Sequence, residues 1–361
     1  MSVRGGFALS MILFILGIMR TLLLTMFVLS LAARCHGQVD PLGEQLQEGI
    51  QRHDRGDYTG AIAKYDAIIA ANNRYFAAYA EKALSLYQAA RFQECVDLCK
   101  QTLKDFPDEP GEKNIYVSYG SALDGLGKSD EAIKVYKEGI KKFPDYYLLP
   151  FNKGMTEYSH KEYEEAIKDY ETAIGINHLH ASSHQYLAYT MYPTNKMAAA
   201  MALATFLMIE PTGERAERNL KLLLQVLGAN VKKTGEKTIT ISLPSSAVDT
   251  KSKKPDDFGT TELMISMTTA AGLGGESKDS TVVGALRGKL SILGFANPNK
   301  KGFFTNTYVA LLSDLDKAEM LETAAHVIYQ SAKDADNQQW LQDHQEKVDA
   351  LNTWLKEHLK G

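Results

Sequence analysis

The chain has 361 residues, of which 45% are hydrophobic and 23% are charged, which is an ordinary composition for a globular protein. This length allows two modest domains and a leader. The formal net charge is -4 at pH 7, so nothing in the charge balance favours nucleic acid binding. A mildly acidic surface bears on solubility rather than on the choice of a partner.

Residues 1–37 are predicted to lie outside the fold. Residues 7–33 are apolar apart from small or hydroxyl residues and one arginine. If translation starts at Met1, this run could span a bilayer, with the arginine near its centre costing about 3 kcal/mol. If translation starts at Met19, the shorter run is the hydrophobic region of a signal peptide that is cleaved before Gln38. We favour the cleaved signal, which predicts an exported protein of the periplasm or cell envelope; the alternative is an N-terminally membrane-anchored protein.

A repeat organises residues 40–228. Small residues recur at intervals of 34, 37, 34 and 34, at Ala61, Cys95, Ala132, Ala166 and Ala200. Twelve residues before each of them lies another small residue, and four residues after each of the first four lies a tyrosine or a cysteine. Small residues at this spacing, on two helices joined by a turn, let the helices approach closely, and the aromatic side chain fills the space beside their contact.

This pattern resembles the tetratricopeptide repeat (TPR), a unit of two helices in about 34 residues. The resemblance covers about five repeats in residues 40–212 and implies an all-α TPR solenoid of helix-turn-helix repeats. An amphipathic helix in residues 213–228 is expected to cap the last repeat. Cys95 and Cys99 replace the small and aromatic residues usual in the family, and we expect two core residues there rather than a disulfide.

The resemblance also implies a binding surface, because the first helix of each TPR unit lines a concave groove. The main groove positions fall on Leu84, Tyr87, Val117, Phe151, Met155, Tyr158, Gln185 and Tyr189, and further ones fall on Leu46, Ile50, His53, Ser121, Asp124 and Tyr192. Aromatic and methionine side chains suit an apolar helix or an extended peptide. These positions hold no lysine or arginine, which disfavours recognition of a terminal carboxylate. The alternative stays open that several of them only pack against neighbouring repeats.

Residues 229–361 are predicted to form a small α+β domain that resembles no family we can identify. Residues 237–243 alternate β-branched and polar side chains, which predicts a strand, and residues 261–269 are a second strand candidate. Helices are expected over most of the remainder, at about 283–293, 313–331 and 337–359.

Two motifs invite a chemical interpretation. Residues 127–129 complete a relaxed phosphate-loop pattern, but they fall at a repeat turn and no strand precedes them. His178, His180 and His184 lack a carboxylate or cysteine at a spacing that would complete a metal site. Recognisable catalytic patterns are also missing. We therefore expect no cofactor and no metal.

The sequence thus predicts an exported TPR scaffold or adaptor that binds a protein or peptide in its groove and is not an enzyme. The alternative is an enzyme, or an enzyme's accessory subunit, with its site in residues 229–361. No nucleic acid partner is expected, and membrane contact is expected only through an uncleaved leader.

Overall fold

The computed structural model describes residues 40–235, 238–242, 254–274 and 281–359. The chain divides into two compact units between Ser85 and Leu86. Within the described ranges, no helix combines the length and the apolar character needed to cross a bilayer. The predicted leader, residues 1–37, lies outside the described residues.

The described part of the first unit, residues 40–85, holds a helix pair and the start of a third helix. Helix α1 is Pro41–Asp54, α2 is Tyr58–Ala71 and α3 is Phe76–Gln88, which crosses the division between the units. A Cβ added at Gly49 would lie 2.5 Å from the ring of Tyr65. The close approach of α1 and α2 therefore depends on the small residue that defines the repeat.

Further helix pairs follow in the second unit. They are α4 Phe92–Asp105, α5 Glu112–Gly125, α6 Ser129–Lys142, α7 Leu148–Ser159, α8 Tyr163–Ile176, α9 Ala181–Met191, α10 Lys196–Ile209 and α11 Glu214–Gly228. Helices α5 and α6 pack as a pair, as do α7 with α8 and α9 with α10. Ala132 and Ala166 are fully buried. The predicted register of the repeats is confirmed.

Two local predictions about the repeats are also confirmed. Gly127 has a φ of 73° in the turn between α5 and α6, and Ser129 begins α6, so residues 127–129 lie at a repeat turn that a helix precedes. Cys95 and Cys99 are fully buried, unbridged core residues whose Sγ atoms lie 3.9 Å apart.

The C-terminal part combines a small antiparallel strand pair with helices. Strand β1 (Val231–Lys233) pairs with β2 (Ile239–Ile241), and Val231 lies opposite Ile241. The following elements are α12 Gly259–Gly274, α13 Val282–Gly294, a π-helical turn Thr305–Val309, α14 Ala310–Lys317, α15 Leu321–Ile328, a 3-10 turn Tyr329–Ala332, α16 Ala335–Asp343 and α17 Gln345–His358. The predicted fold class, helical repeats followed by a small α+β part, is confirmed.

The prediction of a strand over residues 261–269 is wrong, because this segment lies in α12. Its buried residues, Thr261, Glu262, Ile265 and Ser266, follow the spacing of a helix. The hydroxyl of Ser266 donates to the carbonyl of Glu262 one turn back, and the threonines that follow make the same kind of bond. The alternation of apolar residues in the sequence was therefore misleading.

Two helices that were predicted as continuous are interrupted. In residues 313–331 the break between α14 and α15 falls at Glu319, whose φ is 57°. In residues 337–359 the break between α16 and α17 falls at His344, whose ring Nδ1 lies 2.9 Å from the carbonyl oxygen of Trp340. The periodic spacing of apolar residues continues across both breaks, so the sequence pattern alone does not show where one helix ends and the next begins.

Helix α10 is enclosed along its length. Every side chain from Met197 to Met208 is at most 2% exposed. The helix packs on α9 and α11, and also on α13, α15 and the π-helical turn. The predicted helix α11 is present, and the C-terminal helices cover the last repeat together with it.

Candidate functional site

The predicted groove residues of repeats four and five lie on two first helices of their units. Phe151, Met155 and Tyr158 lie on successive turns of α7, and Gln185 and Tyr189 lie one turn apart on α9. The rings of Phe151, Tyr158 and Tyr189 are half-buried. Each packs at its base against the hydrophobic core and leaves part of its surface to solvent.

Tyr186 brings these side chains together. Its ring centroid lies 5.9 Å from that of Phe151, 6.2 Å from Tyr158 and 6.0 Å from Tyr189, in each case edge to face. Tyr170, fully buried beneath, lies 6.1 Å from Phe151 and from Tyr186. Edge-to-face pairs of this kind add about 0.5–1.5 kcal/mol each to the burial of the rings. We call Phe151, Tyr158, Tyr186 and Tyr189 the aromatic cluster.

Sequence reasoning missed Tyr186. The groove pattern takes one or two positions per helical turn, and on α9 it selects Gln185 and Tyr189 and passes over the three residues between them, which include Tyr186. The sequence did offer a signal for Tyr186. Aromatic residues are frequent in the segments that form α7 and α9, and Tyr186 is one of them.

A chain of hydrogen bonds fixes the polar end of the aromatic cluster. The Gln185 side-chain amide donates to the Tyr189 hydroxyl at 2.8 Å, and this hydroxyl donates to Asn219 Oδ1 at 2.8 Å. Asn219, fully buried on α11, donates in turn to the Arg215 carbonyl at 2.8 Å. Gln185 is therefore a buried supporting residue, and Tyr189 presents its ring rather than its hydroxyl.

A histidine that packs against the aromatic cluster is uncharged at neutral pH. His180 lies against Phe151 with a centroid distance of 4.7 Å and an interplanar angle of 87°. Burial, and next the charge of Arg215, lowers the pKa of His180 to about 4. Its imidazole is therefore neutral near pH 7 and packs as another aromatic ring.

The remaining predicted groove residues are not part of this cluster. Tyr87 packs against Phe92 with a centroid distance of 5.8 Å, and among the described residues it has no ring contact with the aromatic cluster. Val117 is half-buried on α5. Leu84 belongs to the first unit, where it is 37% exposed on α3.

A charged triad that the sequence analysis did not single out lies inside repeat four. Lys153 Nζ donates to Glu157 on α7 and to Asp169 on α8. Lys153 is 8% exposed and Glu157 is 2% exposed. Burial first, and the adjacent carboxylate of Asp169 second, raise the pKa of Glu157 to about 8, against the opposing effect of the Lys153 ammonium. The sequence contains a signal for this triad. Repeat four has charged residues at three positions where repeats three and five have apolar or aromatic residues.

The three histidines pack rather than form a metal site. His184 is 1% exposed; its Nδ1 lies 2.8 Å from the Tyr308 hydroxyl and its Nε2 lies 2.8 Å from the His178 carbonyl. Burial lowers the pKa of His184 to about 4. Among the residues that the structure describes, no group of three metal-ligating side chains converges.

A cavity of about 270 Å³ lies among the C-terminal helices and is lined by Thr281, Val283, Gly284, Arg287, Glu322 and His326. The His326 ring is stacked on Trp340 at 3.6 Å, and its Nδ1 lies 2.7 Å from Asn337 Oδ1. If residues 229–361 have the enzymatic or accessory role given above as the alternative, this cavity is the candidate site. That role stays a prediction.

Comparison with known proteins agrees with the repeat pattern. The family model of the tetratricopeptide repeat matches residues 46–110 and 120–178. No curated protein sequence matches the chain.

Among solved structures, the thermophilic TPR protein TTC0263 of Thermus thermophilus is 17% identical, covers 51% of this chain and 99% of its own, and gives a TM-score of 0.45. PilF of Pseudomonas aeruginosa is 17% identical over 51% of this chain and 82% of its own, with a TM-score of 0.44. MamA of Desulfovibrio magneticus RS-1 is 14% identical over 48% of this chain and 96% of its own, with a TM-score of 0.38.

Proposed function

Since this chain is a tetratricopeptide repeat protein, we propose that it is a scaffold that binds a protein or peptide on the face of α7 and α9. The observation that carries the proposal is the aromatic cluster, in which rings from two repeats meet around Tyr186. Partly exposed aromatic side chains that are gathered on one surface are typical of interaction sites. Anchors of this type also carry much of the binding energy in protein interfaces.

The chemistry of the face favours an uncharged, apolar ligand segment. The rings of the aromatic cluster offer apolar surface, the neighbouring His180 is neutral near pH 7, and the polar groups of Gln185 and Tyr189 are already bonded to each other and to Asn219. A ligand with leucine, methionine, proline or aromatic side chains would bury this surface without leaving a charge unpaired.

We propose further that the scaffold works outside the cytoplasm. The apolar run in residues 7–33 supports export, with cleavage before Gln38 as the favoured route and retention as an N-terminal anchor as the alternative. The intact mass of protein isolated from its source distinguishes the two, because cleavage removes the first 37 residues.

The binding proposal is tested by selecting peptides from a display library on the full-length protein and measuring their affinities by calorimetry. We expect selected peptides to be rich in apolar residues and poor in charge. Replacing Phe151 and Tyr158 together with alanine should weaken their binding by about 2 kcal/mol or more, which is roughly a 30-fold rise in Kd.

Tyr119→Ala is the control for the loss of an aromatic side chain, because Tyr119 is a half-buried tyrosine of α5 that lies outside the aromatic cluster. Both variants lose packing, and thermal melting measures that loss separately. Peptides that bind the control and the double variant equally would show that the aromatic cluster is only a structural feature.

A further inference from the structure

Exposed apolar side chains are concentrated in α12 and α13. Among the described residues of the second unit, the large hydrophobic side chains exposed by more than a third are Leu126, Tyr163, Met264, Met267, Leu273, Val282 and Phe295. Five of these seven lie between residues 264 and 295. Phe295 is the most exposed of them, with 71% of its surface accessible to solvent. Helices α12 and α13 pack against each other, so these side chains belong to one region.

On α12 the exposed residues form a single stripe. Met264, Met267, Thr268 and Ala271 are exposed and follow one another at helical spacing. The opposite side, which includes Ile265, is buried where α12 packs on α11 and on the strand pair. No charged residue occurs between Glu262 and the end of the helix. The stripe is therefore apolar and uncharged along its length.

Four cations follow the stripe along the chain, and one of them, Arg287, shares its cavity with Glu322. Residues 281–313 contain Arg287, Lys289, Lys300 and Lys301 and no acidic residue, although the protein as a whole carries a net charge of -4. Arg287, Lys300 and Lys301 are exposed. None of the four forms an ion pair within the part of the chain that the structure describes.

Two of the three acidic residues that immediately precede the stripe are engaged elsewhere. Asp256 is buried and accepts hydrogen bonds from the backbone amides of Gly302, Phe304 and Thr305 at 2.9–3.0 Å. Glu262 is buried and lies 3.5 Å from Lys196 Nζ. These acids do not neutralise the exposed cations.

We propose that the apolar stripe of α12, together with Phe295 and the exposed cations Arg287, Lys300 and Lys301, docks on the surface of an anionic lipid bilayer. Protruding methionine and phenylalanine side chains can enter the region between headgroups and acyl chains, and lysine and arginine pair with lipid phosphates at the surface. Membrane contact was expected only through an uncleaved leader, and this face supplies a second route that does not depend on it.

An acidic protein partner would use the same cations, but a lipid surface accounts better for the apolar side chains. These side chains protrude from a helix, and a bilayer accepts protruding side chains without a complementary pocket. The exposed cations form no ion pair in the described ranges, so they can pair with a surface whose negative charges are spread laterally.

The test measures sedimentation of the full-length protein with phosphatidylglycerol-containing vesicles and with vesicles of phosphatidylcholine alone. We expect binding to the anionic vesicles, and weaker binding at high salt because exposed charges are screened. Replacing Arg287, Lys300 and Lys301 with glutamine should lower partitioning about 100-fold, as expected for the loss of three cations near the surface. Replacing Met264 and Met267 with glutamine should lower partitioning without changing its dependence on salt.

Controls of equal charge and exposure are available in the repeats. Lys134, Lys137 and Lys141 lie on α6, and their replacement with glutamine removes the same charge elsewhere on the chain. If the control triple variant and the variant of Arg287, Lys300 and Lys301 partition alike, the inference is overturned. This includes the case in which the leader alone holds every variant on the vesicles. Binding to soluble polyglutamate without binding to anionic vesicles would overturn it in favour of an acidic protein partner.

Discussion

Repeats three and four have the same spacing of small residues and differ in what lies between their helices. In repeat three the interior positions hold Tyr119, Leu123 and Val135; the positions 34 residues later hold Lys153, Glu157 and Asp169. In both repeats a glycine of the first helix meets a buried tyrosine of the second: a Cβ at Gly120 would lie 2.5 Å from Tyr136, and one at Gly154 would lie 2.9 Å from Tyr170. The close helix contact therefore depends on the glycine and the tyrosine, while the interior beside it accepts either apolar or paired charged residues.

Burial separates this triad from a similar one in repeat one. There the equivalent positions hold Glu48, Arg52 and Lys64, which form ion pairs with 46%, 41% and 34% of their side-chain surfaces exposed. Exposed pairs contribute little to stability, whereas a buried charge that loses its partner is costly. Removing one charge at these positions should therefore lower the free energy of unfolding more in repeat four than in repeat one.

The largest effect is expected from breaking the buried triad. Lys153→Leu leaves the carboxyl groups of Glu157 and Asp169 inside repeat four without their cation, and we expect the free energy of unfolding to fall by about 3–5 kcal/mol. Lys64→Leu removes the lysine of the exposed triad in repeat one and should cost less than about 1 kcal/mol. Urea denaturation of both variants measures the difference.

A triple variant tests whether the charges are needed at all. Repeat five holds Leu187, Met191 and Leu203 at these positions, and Lys153→Leu, Glu157→Met and Asp169→Leu together would give repeat four the same interior. Replacing a buried ionic group with apolar residues of similar volume is often neutral or stabilising by about 1–4 kcal/mol. A triple variant as unstable as Lys153→Leu would contradict the view that the two kinds of interior are interchangeable.

A second, smaller effect concerns pH. Burial, and next Asp169, raises the pKa of Glu157 from 4.5 to about 8 in the folded state. A carboxyl group with a raised folded-state pKa contributes stability that is fully present below its unfolded pKa and is lost as pH rises through the folded pKa. The free energy of unfolding should therefore decline between about pH 5 and pH 8 more steeply in the natural protein than in Glu157→Gln. Parallel pH dependence of the two proteins in urea titrations would refute this.

The smallest effect concerns the tyrosine hydroxyls beside the glycines. Tyr136 OH lies 2.9 Å from Ser121 Oγ, whereas the equivalent of Ser121 in repeat four is Met155, and the buried Tyr170 hydroxyl has no hydrogen-bond partner in the described part of the chain. Tyr136→Phe should cost about 1 kcal/mol, and Tyr170→Phe should be neutral or slightly stabilising. Thermal melting of the two variants should separate them, and equal losses would show that the Tyr170 hydroxyl is bonded in solution.

The sequence predicts the features that local spacing controls. The burial of Ala132 and Ala166, the helix pairs and the placement of Phe151, Tyr158 and Tyr189 on α7 and α9 follow from the repeat interval, because each unit repeats the same pair of helices. Local spacing does not reveal that Lys153 and Glu157 are buried, or that Tyr186 connects the rings, since both depend on the neighbouring helices. The error at residues 261–269 has a similar cause, because packing against α11 and the hydroxyl-to-carbonyl bonds stabilise a helix in a segment that alternates like a strand.

The enclosure of α10 has a consequence for how the protein is made. The ribosome releases the repeats before the C-terminal helices, and domains tend to fold as they emerge. Helix α10 nevertheless needs α13 and α15 to cover it, and these are synthesised after it. We therefore expect the last repeat to complete its fold only once these helices are present; until then the chain would expose the apolar side chains from Met197 to Met208, a surface of the kind that chaperones bind.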